Sequence, residues 1–215
     1  MPNAPDRAST DPLVWIDCEM TGLDVDTDEI ISLCCFITDA QLNLLDDHGF
    51  EAVVHLDQSR LDAMDEWCTA THARTGLTQA SIASTTTAQE AADGLLAYIE
   101  KYVPRSRRAL LAGNSVHTDK AFLRKPPFDS VIRYLHYRIL DVSSIHEAAR
   151  RWASPGLLDQ APLKDGLHQA REDILDSIRE ARFYRDVFFT PTEKGAAPEV
   201  IDRINATGDK GAEDT

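Results

Sequence analysis

Four acidic residues and one histidine lie in three separate segments of this chain, and their side chains are of the types that bind metal ions or move protons. They are Asp17 and Glu19 in IDCE, Asp119 in GNSVHTD, and His168 and Asp173 in HQARED. Carboxylate oxygens are the hard ligands that Mg²⁺ and Mn²⁺ prefer. Two such ions roughly 3.5 to 4 Å apart activate water and neutralise charge on an attacked phosphate. The set therefore predicts a metal-dependent nuclease.

Asp17 and Glu19 come at the end of the apolar run of residues 13–16, which is typical of a buried strand. Residues two apart on a strand point to the same face, so the two carboxylates would lie side by side. Like charges held there without partners are costly, and this favours bound cations. The alternative is chance, because the chain has 36 Asp and Glu residues among 215.

The same acid-x-acid spacing recurs in DVDTDE at Asp24, Asp26 and Asp28. No strand precedes this run, and Glu29 stands where a calcium-binding loop would need glycine. We therefore expect a solvated turn at this point rather than a second ion site.

Asp119 is expected just inside a helix that starts after Gly113, is capped by Asn114 or Ser115, and ends at Pro126 and Pro127. An acid in a first helical turn is also favoured by the helix dipole alone. Its position is therefore compatible with a metal ligand and with a purely structural role.

Asp173 falls in a longer helical pattern over residues 168–189, whose apolar stripe contains Ile174, Ile178 and Ala181. A carboxylate beside this stripe could be simply solvated. His168 is five residues earlier, roughly 140° away around a regular helix. We expect it on the approach to the helix, where a histidine could swing over metals held by Asp173 and act as a general base.

The order Asp-x-Glu, Asp, His-x4-Asp resembles the DEDDh branch of the DnaQ-like 3′ to 5′ exonucleases. WIDCEMTGLD, AGNSVHTDKAFL, HYRILDVSS and HQAREDILDSIREARFYRD resemble oligoribonuclease, in particular its eukaryotic small-RNA exonuclease relatives, over about residues 12–189. Three places depart from the family pattern. Cys18 replaces an aliphatic residue, Leu167 a small hydroxyl residue, and Arg171 with Glu172 the usual Leu-Asp.

The resemblance implies an α/β, RNase H-like fold with a mixed central sheet flanked by helices. It implies that Asp17, Glu19, Asp119 and Asp173 hold two divalent ions, Mg²⁺ or Mn²⁺, and that His168 activates the attacking water. The expected reaction is 3′ to 5′ hydrolysis of very short RNA oligonucleotides, especially dinucleotides, to 5′-mononucleotides.

The resemblance also assigns substrate contacts to seven residues. Leu23 would wedge between two bases and Trp67 would stack near them, while Ser115, His72, Arg138 and Ser143 would cap the 5′ phosphate. Tyr137 and Arg138 would reach the site of a partner chain, which implies a homodimer. Without the nuclease motifs, Leu23 and Trp67 would be interpreted as core residues and the HYR segment as a charged helix exit.

Two alternatives remain at this point. One is a DEDDh exonuclease that trims the 3′ ends of longer RNA or DNA, and the other is a binding module that has lost its chemistry. The net charge of −14 favours a small substrate, since proteins that track long nucleic acids expose basic stripes.

The remaining sequence fits one exonuclease domain over residues 11–189, with flexible termini at residues 1–10 and 190–215. Residues 30–37 and 50–56 are predicted to be further strands. Thr87 and Glu90 form a capping box ahead of a helix over residues 91–103.

Four cysteines, Cys18, Cys34, Cys35 and Cys68, show neither a CxxC spacing nor a secreted framework. Reduced thiols and an intracellular, cytoplasmic protein are expected, with no membrane span. The eukaryotic relatives also serve mitochondria, so a presequence ahead of this sequence would change the location.

Overall fold

A five-stranded sheet forms the centre of the computed structural model, which describes residues 11–162 and 170–189. Its spatial order is β3-β2-β1-β4-β5, with β2 antiparallel to β1 and β3, and with β4 and β5 parallel to β1. The strands are β1 (Leu13–Met20), β2 (Ile30–Thr38), β3 (Phe50–Val53), β4 (Leu110–Gly113) and β5 (Ile139–Asp141). The predicted mixed sheet is confirmed.

Helices cover both faces of this sheet. They are α1 (Gln58–Leu61), α2 (Glu66–Thr75), α3 (Leu77–Ala83), α4 (Ala88–Tyr102), α5 (His117–Leu123), α6 (Asp129–Tyr134), α7 (Val142–Trp152) and α8 (Ala170–Tyr184). A 3-10 turn (Leu158–Gln160) precedes α8, and a π-helical turn (Arg185–Phe189) follows it. The capping box of Thr87 and Glu90 is present at the start of α4, as predicted. None of the described helices has the length and apolar character needed to cross a bilayer.

Alternation along β1 divides its side chains between two cores. Val14 and Ile16 pack with α4 and α5 on one face, whereas Trp15 packs with α7 and α8 on the other. Every residue of β2 is buried, because helices cover both of its faces. Asp17 and Glu19 continue the Trp15 face, so β1 directs both carboxylates toward α8.

The cysteines follow the same alternation. Cys34 belongs to the α8 core and Cys35 to the α4 core, so their side chains point to opposite faces, as predicted. All four thiols are free and buried, and burial raises the pKa of Cys18 and Cys35 well above the usual value. The expectation of reduced cysteines agrees with this arrangement.

The predictions for α5 and α8, which carry Asp119 and Asp173, were correct only in part. In α8, the stripe of Ile174, Ile178 and Ala181 is buried, as predicted. The cap predicted for α5 is wrong, because Val116 rather than Asn114 or Ser115 precedes its first residue. Ser115 instead has a φ of 50°, in the left-handed region, whereas a helix N-cap residue typically has extended backbone. His168, Leu167 and the two predicted flexible termini lie outside the described residues.

Candidate active site

Three of the predicted ligands come together where β1 meets the beginning of α8. Asp17, Glu19 and Asp173 each contribute one carboxylate oxygen to a group whose oxygens all lie within 4.8 Å of one another. β1 supplies two of them from one face of the strand, and α8 lowers the third onto that face. The two segments are more than 150 residues apart in sequence, so the fold and not local spacing creates this group.

The charge on Glu19 is strongly disfavoured in this setting. Burial, together with the negative charges of Asp173 and Asp119, raises the pKa of Glu19 to about 7. Like charges within a few ångströms oppose each other's ionisation. A divalent cation among these oxygens would remove that repulsion.

Asp119 approaches the group from α5 on the other side of β1. It is 6% exposed, and one carboxylate oxygen accepts a hydrogen bond of 2.9 Å from the backbone N–H of Cys18. Burial raises the pKa of Asp119 to about 6, although the hydrogen bond from Cys18 opposes the rise. Asp119 is therefore close enough to influence Glu19, but it is not a member of the three-oxygen group.

The donor set fits hard divalent ions. It consists of carboxylates alone, and oxygen-rich sites of this kind suit Mg²⁺ or Mn²⁺ better than softer metals. Glu19 also borders a cleft of about 230 Å³ that runs to Thr75 and Leu77 between β2 and α3. A larger cavity of about 510 Å³ is lined by Ile30, Phe122 and Phe128, whose core lies on the opposite face of the sheet. We therefore place the chemistry at the smaller cleft.

A second polar group lies beside the carboxyl ends of β4 and β5. The backbone N–H of Ser115 donates to Asp141 and to Ser143, each at 3.0 Å, and the two serine hydroxyls are 3.2 Å apart. The second oxygen of Asp141 lies 3.3 Å from Nδ1 of His117. Ser115 and Ser143, predicted to share a role, are thus in direct contact.

Asp141 is a site residue that the sequence analysis missed. It accepts from two backbone N–H groups, those of Ser115 and Ser143, and it caps α7. In the run LDVSS, the acid follows an apolar pair and stands directly before a helix. This position is typical of an N-cap residue and could have indicated Asp141.

The turn that carries Ser115 is tied to α8 from behind. Asn114 donates through its side-chain amide to Glu180 at 2.9 Å, and Glu180 also accepts from the Tyr184 hydroxyl at 2.8 Å. Both Glu180 and Tyr184 are buried. This network joins the β4–α5 turn to the same helix that carries Asp173.

Leu23 sits on an ordered loop directly after β1, and its side chain is 76% exposed. The loop is held by Asp28, which accepts from the Thr21 hydroxyl at 2.8 Å and from Arg60 at 2.7 Å. The prediction of a solvated turn is therefore correct for Asp24 and Asp26 but wrong for Asp28, which is partly buried and structural. The interpretation of Leu23 as a core residue is also excluded.

The remaining residues assigned to the substrate lie on α2 and in the loop that precedes β5. Trp67 is 59% exposed, so it is not a core residue either. His72 is buried, and its Nε2 donates to the carbonyl oxygen of Met20 at 2.9 Å. Tyr137 is 65% exposed, and the guanidinium of Arg138 lies 5.4 Å from its ring centroid. Of the four residues predicted to cap the phosphate, Ser115 and Ser143 are in direct contact.

The sequence matches a family model described as an exonuclease, RNase_T, over residues 14–181. It is 43% identical to the mitochondrial oligoribonuclease of Saccharomyces cerevisiae over 196 residues, which cover 88% of this chain and 72% of that protein. It is 44% identical to the oligoribonuclease of Mycobacterium avium over 203 residues, covering 94% of this chain and 92% of that protein. A probable oligoribonuclease of Schizosaccharomyces pombe is 45% identical, covering 83% of this chain and 69% of that protein.

Solved structures of exonuclease I share the fold. The zinc-bound complex of the Escherichia coli enzyme with single-stranded DNA superposes with a TM-score of 0.62 at 13% identity, covering 92% of this chain. The enzyme of Methylocaldum szegediense gives a TM-score of 0.60 at 16% identity and covers 91% of this chain. This chain spans only 43% of either structure, and at these identities the likeness supports the fold alone.

Proposed function

The chain belongs to the oligoribonuclease family and is a 3′ to 5′ exoribonuclease, and we propose that it hydrolyses very short RNA oligonucleotides, dinucleotides above all, to 5′-mononucleotides. The observation that carries the chemistry is the group of three carboxylates from β1 and α8. Asp17, Glu19 and Asp173, with Asp119 beside them, would hold two divalent ions.

When bound, such ions polarise the phosphodiester and lower the pKa of water. The protein's own part is to hold the ligand oxygens in place and to move protons. β1 fixes Asp17 and Glu19 on one face, while the Cys18 N–H orients the carboxylate of Asp119. His168 would take the proton from the attacking water, a role that rests on the family resemblance alone.

Preference for very short RNA would come from groups at both ends of the substrate. Leu23, held out on its loop by Asp28 and Arg60, offers an apolar wedge for two bases, and exposed Trp67 offers a stacking face. Ser115 and Ser143 offer paired hydroxyls for a 5′ phosphate. A cap at the 5′ end excludes longer RNA by steric conflict.

The active unit would be a homodimer. Tyr137 and Arg138 are exposed, and the Lys120 ammonium fixes their loop by donating to the Tyr137 carbonyl oxygen at 2.6 Å. A fixed and exposed Tyr-Arg pair is available to a second chain. In that chain the pair would complete the cap for the 5′ phosphate, beside Ser115 and Ser143.

We also propose an intracellular, cytoplasmic location, in keeping with four free thiols. The name of the S. cerevisiae relative places that protein in mitochondria. Cell fractionation with an antibody to this chain would distinguish the two compartments.

The test is a Mg²⁺-dependent time course on 5′-phosphorylated RNAs of about two, four, seven and twenty nucleotides. Asp173→Asn is the control, because it keeps the shape of the side chain and removes one ligand charge. A steep preference for the shortest RNA that is lost in Asp173→Asn would support the proposal.

Other outcomes point elsewhere. Equal rates at all lengths would keep the nuclease chemistry and favour an exonuclease that trims longer RNA or DNA. Full activity in Asp173→Asn would contradict the assigned ligands, and binding without cleavage at any length would favour a module that has lost its chemistry.

A further inference from the structure

Arg171 makes an unusually complete set of contacts for a half-exposed arginine. Its Nη1 donates to the carbonyl oxygen of His48 at 2.6 Å and to the carboxylate of Glu51 at 2.8 Å. Its Nη2 donates to the carbonyl oxygen of Asp47 at 3.0 Å, and the guanidinium lies 4.8 Å from the ring centroid of Phe36. One side chain therefore joins the first described turn of α8 to the loop between β2 and β3 and to the buried face of β2.

Arg171 lies two residues before Asp173 on α8, and the two side chains reach different strands of the sheet. Residues two apart on a helix point roughly 200° from each other, so the two side chains leave α8 on opposite sides. Across the sheet, Asp17 pairs with Cys34 and Cys34 pairs with Glu51, which places these three side chains in one row on the α8 face. The helix thus straddles β2, with Asp173 reaching Asp17 at one end of the row and Arg171 reaching Glu51 at the other.

The loop that receives Arg171 is itself well fixed. Gly49 has φ of 72°, and a Cβ added there would lie 2.8 Å from the Phe36 ring and 2.9 Å from the Cys35 carbonyl oxygen. The backbone therefore packs directly on the ring that the guanidinium covers, and Phe36 is fully buried. The contacts of Arg171 therefore tie α8 to a loop that is itself held in place.

We propose that Arg171 is a positioning residue for the nuclease reaction, which sets the rotation of α8 so that the Asp173 carboxylate stays within reach of Asp17 and Glu19. This inference rests on the proposed function. The family resemblance has Leu-Asp where this chain has Arg171 and Glu172, so the anchor belongs to this chain and not to the shared ligand set.

A small rotation is enough to matter. A side chain carried about 6 Å from the helix axis moves by about 1 Å when the helix turns by roughly 10°. Misplacement of a catalytic group by about 1 Å can lower a rate on the order of 100-fold. The loss would fall on metal binding and turnover and not on the affinity for the bases.

The test uses Arg171→Met, which keeps much of the apolar stem and removes the donors. Binding of Mn²⁺ to the protein prepared without metal is measured by electron paramagnetic resonance, and kcat and KM are measured on a 5′-phosphorylated RNA dinucleotide. We expect the Mn²⁺ Kd to rise about tenfold and kcat to fall roughly 10- to 100-fold, with KM within about twofold of the wild-type value.

Arg182→Met is the matched control. Arg182 is also on α8 and donates to a backbone carbonyl, that of Leu42, at 2.5 Å. It lies 11 positions after Arg171, roughly 16 Å further along the helix. Its loss should loosen the helix without moving Asp173, so Mn²⁺ binding and kcat should remain at the wild-type values.

Two further variants keep the test decisive if Arg171→Met folds poorly. Glu51→Gln removes the carboxylate and leaves both carbonyl acceptors, so it should weaken Mn²⁺ binding severalfold in the same direction. Arg171→Lys keeps the charge but not the planar fork, and it should restore only part of the loss.

Wild-type Mn²⁺ affinity and kcat in Arg171→Met or Glu51→Gln would overturn the inference. Equal losses in Arg182→Met would also overturn it, because the effect would then come from general loosening of α8. Failure of the wild-type protein to cleave short RNA would count against the proposed function instead, and the Mn²⁺ affinities would still decide the role of Arg171.

Discussion

Replacing Glu19 by glutamine should stabilise the metal-free protein while it abolishes activity. Glutamine has the shape of the neutral acid and cannot ionise. Burial and the charges of Asp173 and Asp119 raise the pKa of Glu19 from 4.5 to about 7, so the folded protein holds the proton more tightly than the unfolded chain does. Ionisation of Glu19 therefore destabilises the fold, and this loss grows as the pH rises from about 4.5 to about 7.

The size of the effect follows from the same values. A tenfold difference in proton affinity corresponds to about 1.4 kcal/mol, so a pKa raised from 4.5 to about 7 costs the wild type about 3 kcal/mol at pH 8. At pH 5 most of this loss has not yet developed, and less than about 1 kcal/mol remains. For a domain of this size, about 3 kcal/mol corresponds to roughly 6 to 12 °C in Tm.

The measurement is denaturation of wild type and Glu19→Gln at pH 5 and pH 8 in the presence of a chelator. Glu100→Gln, an exposed position in α4, is the control and should differ from wild type by less than about 0.5 kcal/mol at both pH values. Added Mn²⁺ should stabilise the wild type more than Glu19→Gln, because binding to the folded state is linked to stability. A Glu19→Gln protein that is less stable than wild type at pH 8, or equally affected at both pH values, would refute the reasoning.

Four further predictions test other parts of the structure. Leu23→Ala should raise KM for a dinucleotide roughly 5- to 30-fold, from about 1 to 2 kcal/mol of lost apolar contact, and leave Tm unchanged because the side chain is 76% exposed. Tyr137→Ala and Asp173→Asn should each be inactive alone. When the two are unfolded and refolded together, about a quarter of wild-type activity should return, because each mixed dimer would contain one intact site. No recovery would contradict a shared site. Gly49→Ala should lower stability by more than about 2 kcal/mol in urea denaturation, whereas Gly76→Ala, with a similar φ of 83° and open space around it, should lose less. Asp28→Asn should lose about 1 to 3 kcal/mol at pH 7 in the same assay, because Thr21 and Arg60 stabilise its charged form; stability equal to wild type would show that the loop does not need that charge.

Strands β1, β2 and β3 and the pairing of Asp17 with Glu19 could be predicted because they depend on short-range patterns. The alternation in β1 places Asp17 and Glu19 on one face, and the apolar stripe of α8 orients that helix on the sheet. Resemblance then connected Asp173 to the first pair, which no local pattern could do. These three side chains meet only in the folded protein, because Asp173 lies more than 150 residues after Asp17 and Glu19 in the sequence.

The parts that were not predicted depend on tertiary contacts of backbone atoms. Ser115 was expected to cap α5, but its N–H is drawn to Asp141 and Ser143 on a neighbouring element. Asp28 looked like one more solvated acid, yet it organises the loop that carries Leu23. Arg171 gave no sign of its partners, because two of them are carbonyl oxygens of a loop more than 120 residues away.

The direction of the pKa shift separates the two kinds of acid in this protein. Although burial opposes it, hydrogen bonds from Thr21 and Arg60 lower the pKa of Asp28, whose charge is already balanced in the fold. At Glu19 and Asp119 the pKa is raised instead, to about 7 and about 6. Two cations close in sequence to the site acids serve other partners. Lys120, next to Asp119, donates to the Tyr137 carbonyl oxygen, and Arg171, two residues before Asp173, donates to Glu51 and the β2–β3 loop. At Glu19 and Asp119 the fold therefore disfavours the charged carboxylate, which is typical of acids that bind a ligand. This supports our proposal that divalent metal ions bind to these acids together with Asp17 and Asp173.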